Sequence, residues 1–150
     1  MTSAAAIAPG RSLYLDTNVV VYAAEGSPLL TSAVQALLLR MDHGELGGVT
    51  SELTLSEFLV KPLCEGNHAL AEQYRQRLSP GPALTVAPVT RDVLERAAEL
   101  RAAHPSLKLP DAIHAATALL TACDVFLTND ARFATVPGLR ALMLADVKTP

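Results

Sequence analysis

The sequence contains no tryptophan, and only 4 % of its 150 residues are aromatic. Proteins that bind single-stranded nucleic acid stack its bases on aromatic side chains, so this scarcity argues against a stacking platform. Excess positive charge is also absent, because 12 Lys and Arg residues stand against 15 Asp and Glu residues, for a net charge of −3. A general nucleic-acid coat protein is therefore excluded. A nuclease is not, because a metal ion can supply positive charge at the scissile phosphate.

Cysteines and long apolar runs are equally scarce. The two cysteines, Cys64 and Cys123, show no metal-ligand spacing and lie in apolar helical patterns, so we expect two buried thiols in a reducing cytosol. No apolar run approaches the roughly 18 residues that cross a bilayer. Residues 1–12 lack the basic start of a signal peptide and predict a loose tail. We expect a cytoplasmic protein with no membrane partner, whose residues 13–150 form a single domain.

Short apolar runs alternate with longer segments of helical spacing. Hydrophobic residues make up 50 % of the chain and charged residues 18 %, a composition typical of folded proteins. Strands are predicted at residues 13–15, 48–50, 84–87, 125–128 and 139–144. Strands that are separated by helices imply a mainly parallel sheet with helices on both faces. The sequence therefore predicts a three-layer α/β/α fold.

Capping residues mark where the helices start. Thr17 or Asn18 is expected to cap the helix after the first strand, and Ser27 with Pro28 is expected to start the next helix. Later helices are expected after Ser51, Asn67 and Thr90, and from Pro110 onward.

Four acidic residues are positioned to reach one rim of this sheet. They are Asp16, Glu57, Asp111 and Asp130, in the segments LYLDTNVVVY, LTLSEFL, KLPDAIHAATAL and FLTNDARF. Each alone has a structural explanation, as a loop cap, a solvated helix face, a first-turn acid or a turn residue. Ligands of open α/β sheets bind at the carboxyl ends of the strands, where all four can converge. A divalent cation would neutralise such a cluster, so we predict a metal site for phosphate chemistry.

Together these segments resemble PIN-domain ribonucleases, and most closely the VapC toxins of bacterial toxin–antitoxin pairs. The four segments follow in the family's order and span nearly the whole chain, and DAIHAATA followed by TND is the most specific part. The resemblance implies a metal-dependent endoribonuclease that hydrolyses RNA and leaves 5′-phosphate and 3′-hydroxyl ends. Its cofactor would be Mg²⁺ or Mn²⁺, and its partners an RNA substrate, a VapB-like antitoxin and a second copy in a homodimer.

The resemblance also assigns roles to residues of this chain. The implied metal-binding and catalytic acids are Asp16, Glu57, Asp111 and Asp130. Side chains that would orient the carboxylates and metal-bound waters are Thr17, Asn18, Thr128 and Asn129. Helix capping and turn formation are the structural alternatives, and for Thr17 and Asn18 they are equally good explanations.

Basic residues beside the acids are candidates for contacts with RNA. Lys108 and Arg132 flank Asp111 and Asp130 in sequence and could bind a phosphate, although a solvated side chain is the simpler interpretation. His114 follows Asp111 by one helical turn in an Ala-rich segment. We interpret it as a core or supporting histidine rather than a catalytic one.

Other enzyme classes fit less well. A haloacid-dehalogenase-type phosphatase needs a second Asp two positions after the first, where this chain has Asn18. Neither the acid pairs of a receiver domain nor a glycine-rich phosphate loop is present. Two alternatives stay open, namely a non-catalytic PIN-fold module that binds RNA or protein, and another Mg-dependent phosphoryl hydrolase.

Overall fold

A five-stranded parallel sheet forms the centre of the protein, whose computed structural model describes residues 2–3, by backbone alone, and residues 6–148. The strands are β1 (Thr2–Ser3), β2 (Ser12–Leu15), β3 (Gly47–Ser51), β4 (Leu84–Ala87), β5 (Val125–Thr128), β6 (Ala141–Met143) and β7 (Val147–Lys148). The helices are α1 (Thr17–Glu25), α2 (Ser32–Asp42), α3 (Glu52–Cys64), α4 (His68–Arg77), α5 (Arg91–Ala103) and α6 (Leu109–Leu120). The order of the central sheet is β4-β3-β2-β5-β6, with β2 in the middle.

Helices cover both faces of this sheet, so the predicted three-layer α/β/α fold is confirmed. Side chains alternate between the faces along each strand. Leu13 and Leu15 therefore pack with α1 and α2 on one side. Tyr14 between them packs with Phe126, α5 and α6 on the other. The alanines of α6 let that helix lie close to the sheet, since Ala112, Ala115 and Ala116 are fully buried.

Glycine is required at one point of β3. A Cβ atom on Gly48 would lie 2.3 Å from Met41 Cε and 2.7 Å from the carbonyl oxygen of Ala83. Both distances are shorter than van der Waals contact. Helix α2 and the start of β4 can therefore pack this closely against β3 only because residue 48 is glycine.

Three predicted element boundaries are wrong. Asp16, not Thr17 or Asn18, caps α1, because its side chain accepts a hydrogen bond from the Thr17 backbone N–H. Helix α2 begins at Ser32 rather than Pro28, with Thr31 as its cap, and the Ser27 hydroxyl closes a turn instead. The last strand of the central sheet spans only Ala141–Met143, shorter than the predicted 139–144.

The expected loose tail is attached to the domain wherever it is described. Strand β1 pairs in parallel with β7, which joins the two ends of the chain. Ile7 is buried in the core, and Arg40 Nη2 donates to its carbonyl oxygen at 2.8 Å. Residues 1, 4 and 5 of this expected tail lie outside the described residues.

Neither cysteine is buried, so that prediction is also wrong. Cys64 is exposed at the last residue of α3, and Cys123 is partly exposed just beyond α6. Helical spacing placed both near apolar residues, but each lies at a helix end, where the backbone turns toward solvent. Across the described ranges, no helix is long and apolar enough to cross a membrane.

Candidate active site

Three of the four acids come after a strand of the central sheet, and the fourth lies in the first turn of a helix. Asp16 directly follows β2, and Asp130 lies two residues after β5. Glu57 lies on α3, which follows β3, and Asp111 lies in the first turn of α6. Strands β3, β2 and β5 are neighbours, so their carboxyl ends share one edge of the sheet.

Asp16 is the most constrained of the four. It is buried, with Oδ1 accepting from the Thr17 backbone N–H at 2.8 Å and Oδ2 accepting from the Thr128 hydroxyl at 2.7 Å. Burial raises the pKa of Asp16, and the hydrogen bond from Thr128 only partly opposes that rise. Its charged form is therefore destabilised unless a cation is near.

Glu57 points one oxygen into the protein. Its Oε1 lies 2.6 Å from His114 Nε2 and accepts from the Thr17 hydroxyl at 3.0 Å. Burial acts to raise the pKa of Glu57, but the hydrogen bond with His114 and the other favourable contacts outweigh it, so the pKa is lowered. Glu57 is thus held in its charged form by contacts within the chain.

Arg132 joins the two remaining acids. Its guanidinium binds Asp130 through Nε and Nη2, and Nη2 lies 3.3 Å from Asp111 Oδ2. Burial raises the pKa of Asp111 despite this positive charge, whereas the hydrogen bonds from Arg132 lower the pKa of Asp130. Arg132 therefore contacts the carboxylates themselves, and its predicted contact with phosphate stays a prediction.

The four predicted supporting residues divide into two pairs. Thr17 and Thr128 are buried, and each donates a hydrogen bond to an acid. The Thr17 hydroxyl donates to Glu57, and the Thr128 hydroxyl donates to Asp16. Asn18 and Asn129 are exposed, and neither is hydrogen-bonded to a carboxylate in the described structure. Lys108 is exposed at the N-cap position of α6 and makes no side-chain capping bond.

Two residues of the hydrogen-bond network around the acids, Tyr14 and Thr54, were not predicted from the sequence. The Tyr14 hydroxyl lies 2.6 Å from His114 Nδ1, and Thr54 Oγ1 lies 3.2 Å from Thr17 Oγ1. Thr54 precedes Glu57 by three residues, a spacing that puts both on one helix face and could have indicated it. Tyr14 gave no comparable signal, because an aromatic residue in a buried strand is ordinary core.

The donors at this end of the sheet fit a hard divalent cation. Carboxylate and hydroxyl oxygens are the ligands that Mg²⁺ and Mn²⁺ prefer. Burial raises the pKa of both Asp16 and Asp111, so a cation would stabilise their charged forms. As they stand, no three Asp, Glu, His or Cys side chains within the described ranges are arranged to hold a metal ion. Arg132 pairs with Asp111 and Asp130, so a cation bound by these two acids would compete with its guanidinium.

Comparison with known proteins gives one family and a consistent set of structures. Residues 13–139 match the PIN domain. No curated protein matches the sequence. A toxin–antitoxin complex from Klebsiella pneumoniae contains a chain with 25 % identity and a TM-score of 0.66, covering 88 % of this chain and 97 % of that one.

Two further solved structures share the fold. FitAcB from Neisseria gonorrhoeae has 20 % identity and a TM-score of 0.69, with coverage of 90 % of this chain and 99 % of that one. DNA-bound VapBC from Salmonella typhimurium has 21 % identity and a TM-score of 0.65, with coverage of 89 % and 98 %. These similarities extend over nearly the whole length of the matched chains.

Proposed function

The chain belongs to the PIN domain family, and from this premise we propose that it is a metal-dependent endoribonuclease, the VapC-like toxin of a toxin–antitoxin pair. The observation that carries the proposal is that Asp16, Glu57 and Asp130 follow adjacent parallel strands, while Asp111 shares the Arg132 guanidinium with Asp130. A scaffold that only binds other molecules has no need to bury Asp16 and to hold Glu57 by both His114 and Thr17.

The proposed cofactor is Mg²⁺ or Mn²⁺, held by Asp16, Asp111, Glu57 and Asp130. When bound, such an ion lowers the pKa of a coordinated water and offsets negative charge at the phosphate. Asp16 is prepared for this role, because the Thr17 backbone and the Thr128 hydroxyl fix its two oxygens. The Thr128 hydroxyl also accepts from the Asp130 backbone N–H at 3.0 Å, so it links the positions of these two acids.

When metal binds, the Arg132 guanidinium would exchange its contacts with the carboxylates for a contact with the RNA substrate. Its guanidinium is roughly half exposed and lies between Asp111 and Asp130. A divalent ion at those acids would compete for the same oxygens, which would leave the guanidinium near the RNA phosphate. Lys108 and the exposed amides Asn18 and Asn129 are further proposed contacts around the site.

The proposed partners are an RNA substrate, a VapB-like antitoxin and a second copy of the chain. The antitoxin is supported by the Klebsiella relative, which was solved in a toxin–antitoxin complex. The VapBC structure from Salmonella typhimurium was solved bound to DNA. Residues 13–150 are proposed to act as one domain.

The test is cleavage of structured RNA with and without Mg²⁺. Losing a partner of a metal ligand typically costs 10–100-fold, so Asp16→Asn, which alters a ligand itself, should lower the cleavage rate by at least about 100-fold. Asp92→Asn, an exposed first-turn acid on α5, is the matched control and should cleave normally. Full cleavage in excess EDTA, or by Asp16→Asn, would contradict the proposal. Normal growth on expression of the wild-type chain would contradict the toxin role alone.

A further inference from the structure

A buried chain of polar side chains leads from the core to Glu57. His114 is only 1 % exposed and lies between Tyr14 on β2 and Glu57 on α3. Its Nδ1 is 2.6 Å from the Tyr14 hydroxyl, and its Nε2 is 2.6 Å from Glu57 Oε1 and 3.0 Å from Thr17 Oγ1. Four elements (β2, α1, α3 and α6) thus meet at one imidazole ring.

The acceptors in this network constrain its hydrogens. An ionised carboxylate only accepts hydrogen bonds, so His114 must carry a hydrogen on Nε2 to bond Glu57. The direction of the bond between Nδ1 and the Tyr14 hydroxyl depends on the tautomer; where Nδ1 accepts, both ring nitrogens of the neutral ring are satisfied. A Tyr14 hydroxyl that donates to Nδ1 favours the tautomer that His114 presents to Glu57, in the way that a partner on the far nitrogen orients a histidine elsewhere.

A second set of hydroxyls lies beside Glu57 on the side of the sheet. Thr50 Oγ1 donates to the Leu15 carbonyl at 2.9 Å, so it accepts from the Thr54 hydroxyl, also at 2.9 Å. The Thr17 hydroxyl donates to Glu57 Oε1 at 3.0 Å. Thr50 and Thr54 thus donate away from Glu57, and Thr17 donates to the same carboxylate oxygen that His114 contacts.

Glu57 therefore has two unlike oxygens. Oε1 receives both the imidazole and the hydroxyl, whereas Oε2 has no hydrogen bond among the described residues. The side chain is 35 % exposed, so it reaches the surface while one of its oxygens is held in the core. Fixing one oxygen removes rotamer freedom from a long side chain, which otherwise has to be ordered at each binding event.

We propose that His114 is a positioning residue that holds Glu57 in place for the cation and RNA, and that Tyr14 selects the tautomer that does so. The inference deepens the proposed function and rests on it. Neither residue needs to touch the substrate. Their effect is exerted through the position of one carboxylate, as outer partners of metal ligands act in other sites.

The experiment compares three variants of the network with one matched core variant. His114→Leu removes both hydrogen bonds, His114→Gln keeps an amide N–H near the position of Nε2, and Tyr14→Phe removes only the hydroxyl. Ile113→Ala truncates a buried apolar side chain of the same helix. Mn²⁺ affinity by calorimetry, the RNA cleavage rate at saturating substrate and urea unfolding are measured for all four.

We expect His114→Leu to weaken Mn²⁺ binding and to slow cleavage by about 10–100-fold each. His114→Gln should recover most of both losses, and Ile113→Ala should lose stability but not Mn²⁺ affinity. Nitrogen chemical shifts of the His114 ring should show a protonated Nε2 and an accepting Nδ1 in the wild type. In Tyr14→Phe this preference should weaken.

The outcomes separate the inference from the proposed function. Equal Mn²⁺ affinity in His114→Leu and the wild type would overturn the inference, and so would a ring protonated on Nδ1 alone. If the wild type cleaves no RNA, the proposed function fails, and Mn²⁺ affinity and the ring tautomer still decide the role of His114. If His114→Leu does not fold, Tyr14→Phe carries the comparison. An unchanged ring tautomer together with unchanged Mn²⁺ affinity in that variant would overturn the inference.

Discussion

A single guanidinium group holds two carboxylates of the site together. Arg132 pairs with Asp130 and Asp111 at once, and its side chain is 49 % exposed. Exposed ion pairs contribute about 0–1 kcal/mol each because water and salt screen them. Such pairs are weak enough for a divalent ion to replace, so Arg132 acts as a counter-ion that the site can release.

Replacing Arg132 by Gln should tighten Mn²⁺ binding. Removing a cation that competes through two screened pairs should raise Mn²⁺ affinity about three- to tenfold. Calorimetric titration of the wild type and the variant measures the change. Arg96→Gln is the matched control, because it removes an exposed pair with Glu99 on α5. Weaker Mn²⁺ binding in Arg132→Gln would show that the arginine supports the site rather than competing for it.

Asp124 gives a pH-dependent contribution to stability away from the site. It accepts from the Ser12 backbone N–H at 2.8 Å and pairs with Arg11, and the backbone hydrogen bond is the main cause of its lowered pKa. A lowered folded-state pKa stabilises the fold above the unfolded value of about 3.9, and this stabilisation is lost as the pH falls through the folded value.

Asp124→Asn should therefore destabilise the protein by roughly 1 kcal/mol at pH 7. The difference from the wild type should shrink below about pH 4, since protonation then removes the same charge from Asp124. Urea unfolding at a series of pH values measures the gap. A gap that stays constant down to the lowest folded pH would contradict the assigned cause.

At the scale of elements, one missing side chain decides how closely three segments pack. Gly48 on β3 lies under Met41 of α2 and beside the Ala83 carbonyl that precedes β4. The carbonyl belongs to the backbone and cannot move aside as a side chain can. The neighbouring Gly47 has no such restriction, because a Cβ atom there would meet Ser12 at an ordinary 3.8 Å.

Gly48→Ala should destabilise the protein by about 1–3 kcal/mol, the usual cost of forcing an extra methyl group into a packed interior. Gly47→Ala is the matched control in the same strand and should change stability by no more than about 0.5 kcal/mol. The free energies of unfolding of both variants in urea test the difference. Equal stabilities of the two would show that α2 can shift without cost.

The bounds of a helix or strand were predictable where a single local feature of the sequence, such as an apolar run or a capping residue, determines them. Strand β5 and helix α5 follow from apolar runs and from the Thr90 cap, and both have their predicted bounds. The start of α2 was not predictable, because Ser27 and Pro28 form a typical start signal yet the chain makes a turn there first. The cap of α1 was predicted one or two residues too late, because Thr17 and Asn18 are also typical N-cap residues, but it is the Asp16 carboxylate that accepts from the Thr17 backbone N–H.

The site was predictable to the extent that it depends on topology. Parallel strands bring their carboxyl ends together, so the common location of the acids follows from the strand pattern. The contact of Arg132 with two acids and the network of Tyr14, His114 and Glu57 depend on side-chain packing across elements far apart in sequence. No periodicity encodes such contacts, and the membership of all four acids in one metal site stays a prediction.

At the scale of the whole molecule, the two ends of the chain close the structure. Strand β1 pairs with β7, and Ile7 fills the core beside α2 while its carbonyl accepts from Arg40. The first residues thus connect the end of the chain to the helical layer that contains α2. Of residues 6–12, Ile7 is the one that is buried in the core.

Ile7→Ala should lower the free energy of unfolding by about 2–5 kcal/mol, as expected for emptying a buried aliphatic position. Leu29→Ala, an exposed leucine at 46 %, is the control and should change it by less than about 0.5 kcal/mol. Urea unfolding measures both. Equal small effects would show that the first residues rest on the domain without stabilising it.

The exposure of Cys64 makes the protein suitable for site-specific labelling without mutagenesis. Cys64 is exposed at the end of α3, whereas Cys123 is partly covered and burial raises the pKa of its thiol. Thiolates are the reactive form, so a maleimide dye or spin label at neutral pH should attach to Cys64 first. A probe there sits on the helix that carries Glu57, and it would report movement of that helix when metal or RNA is added.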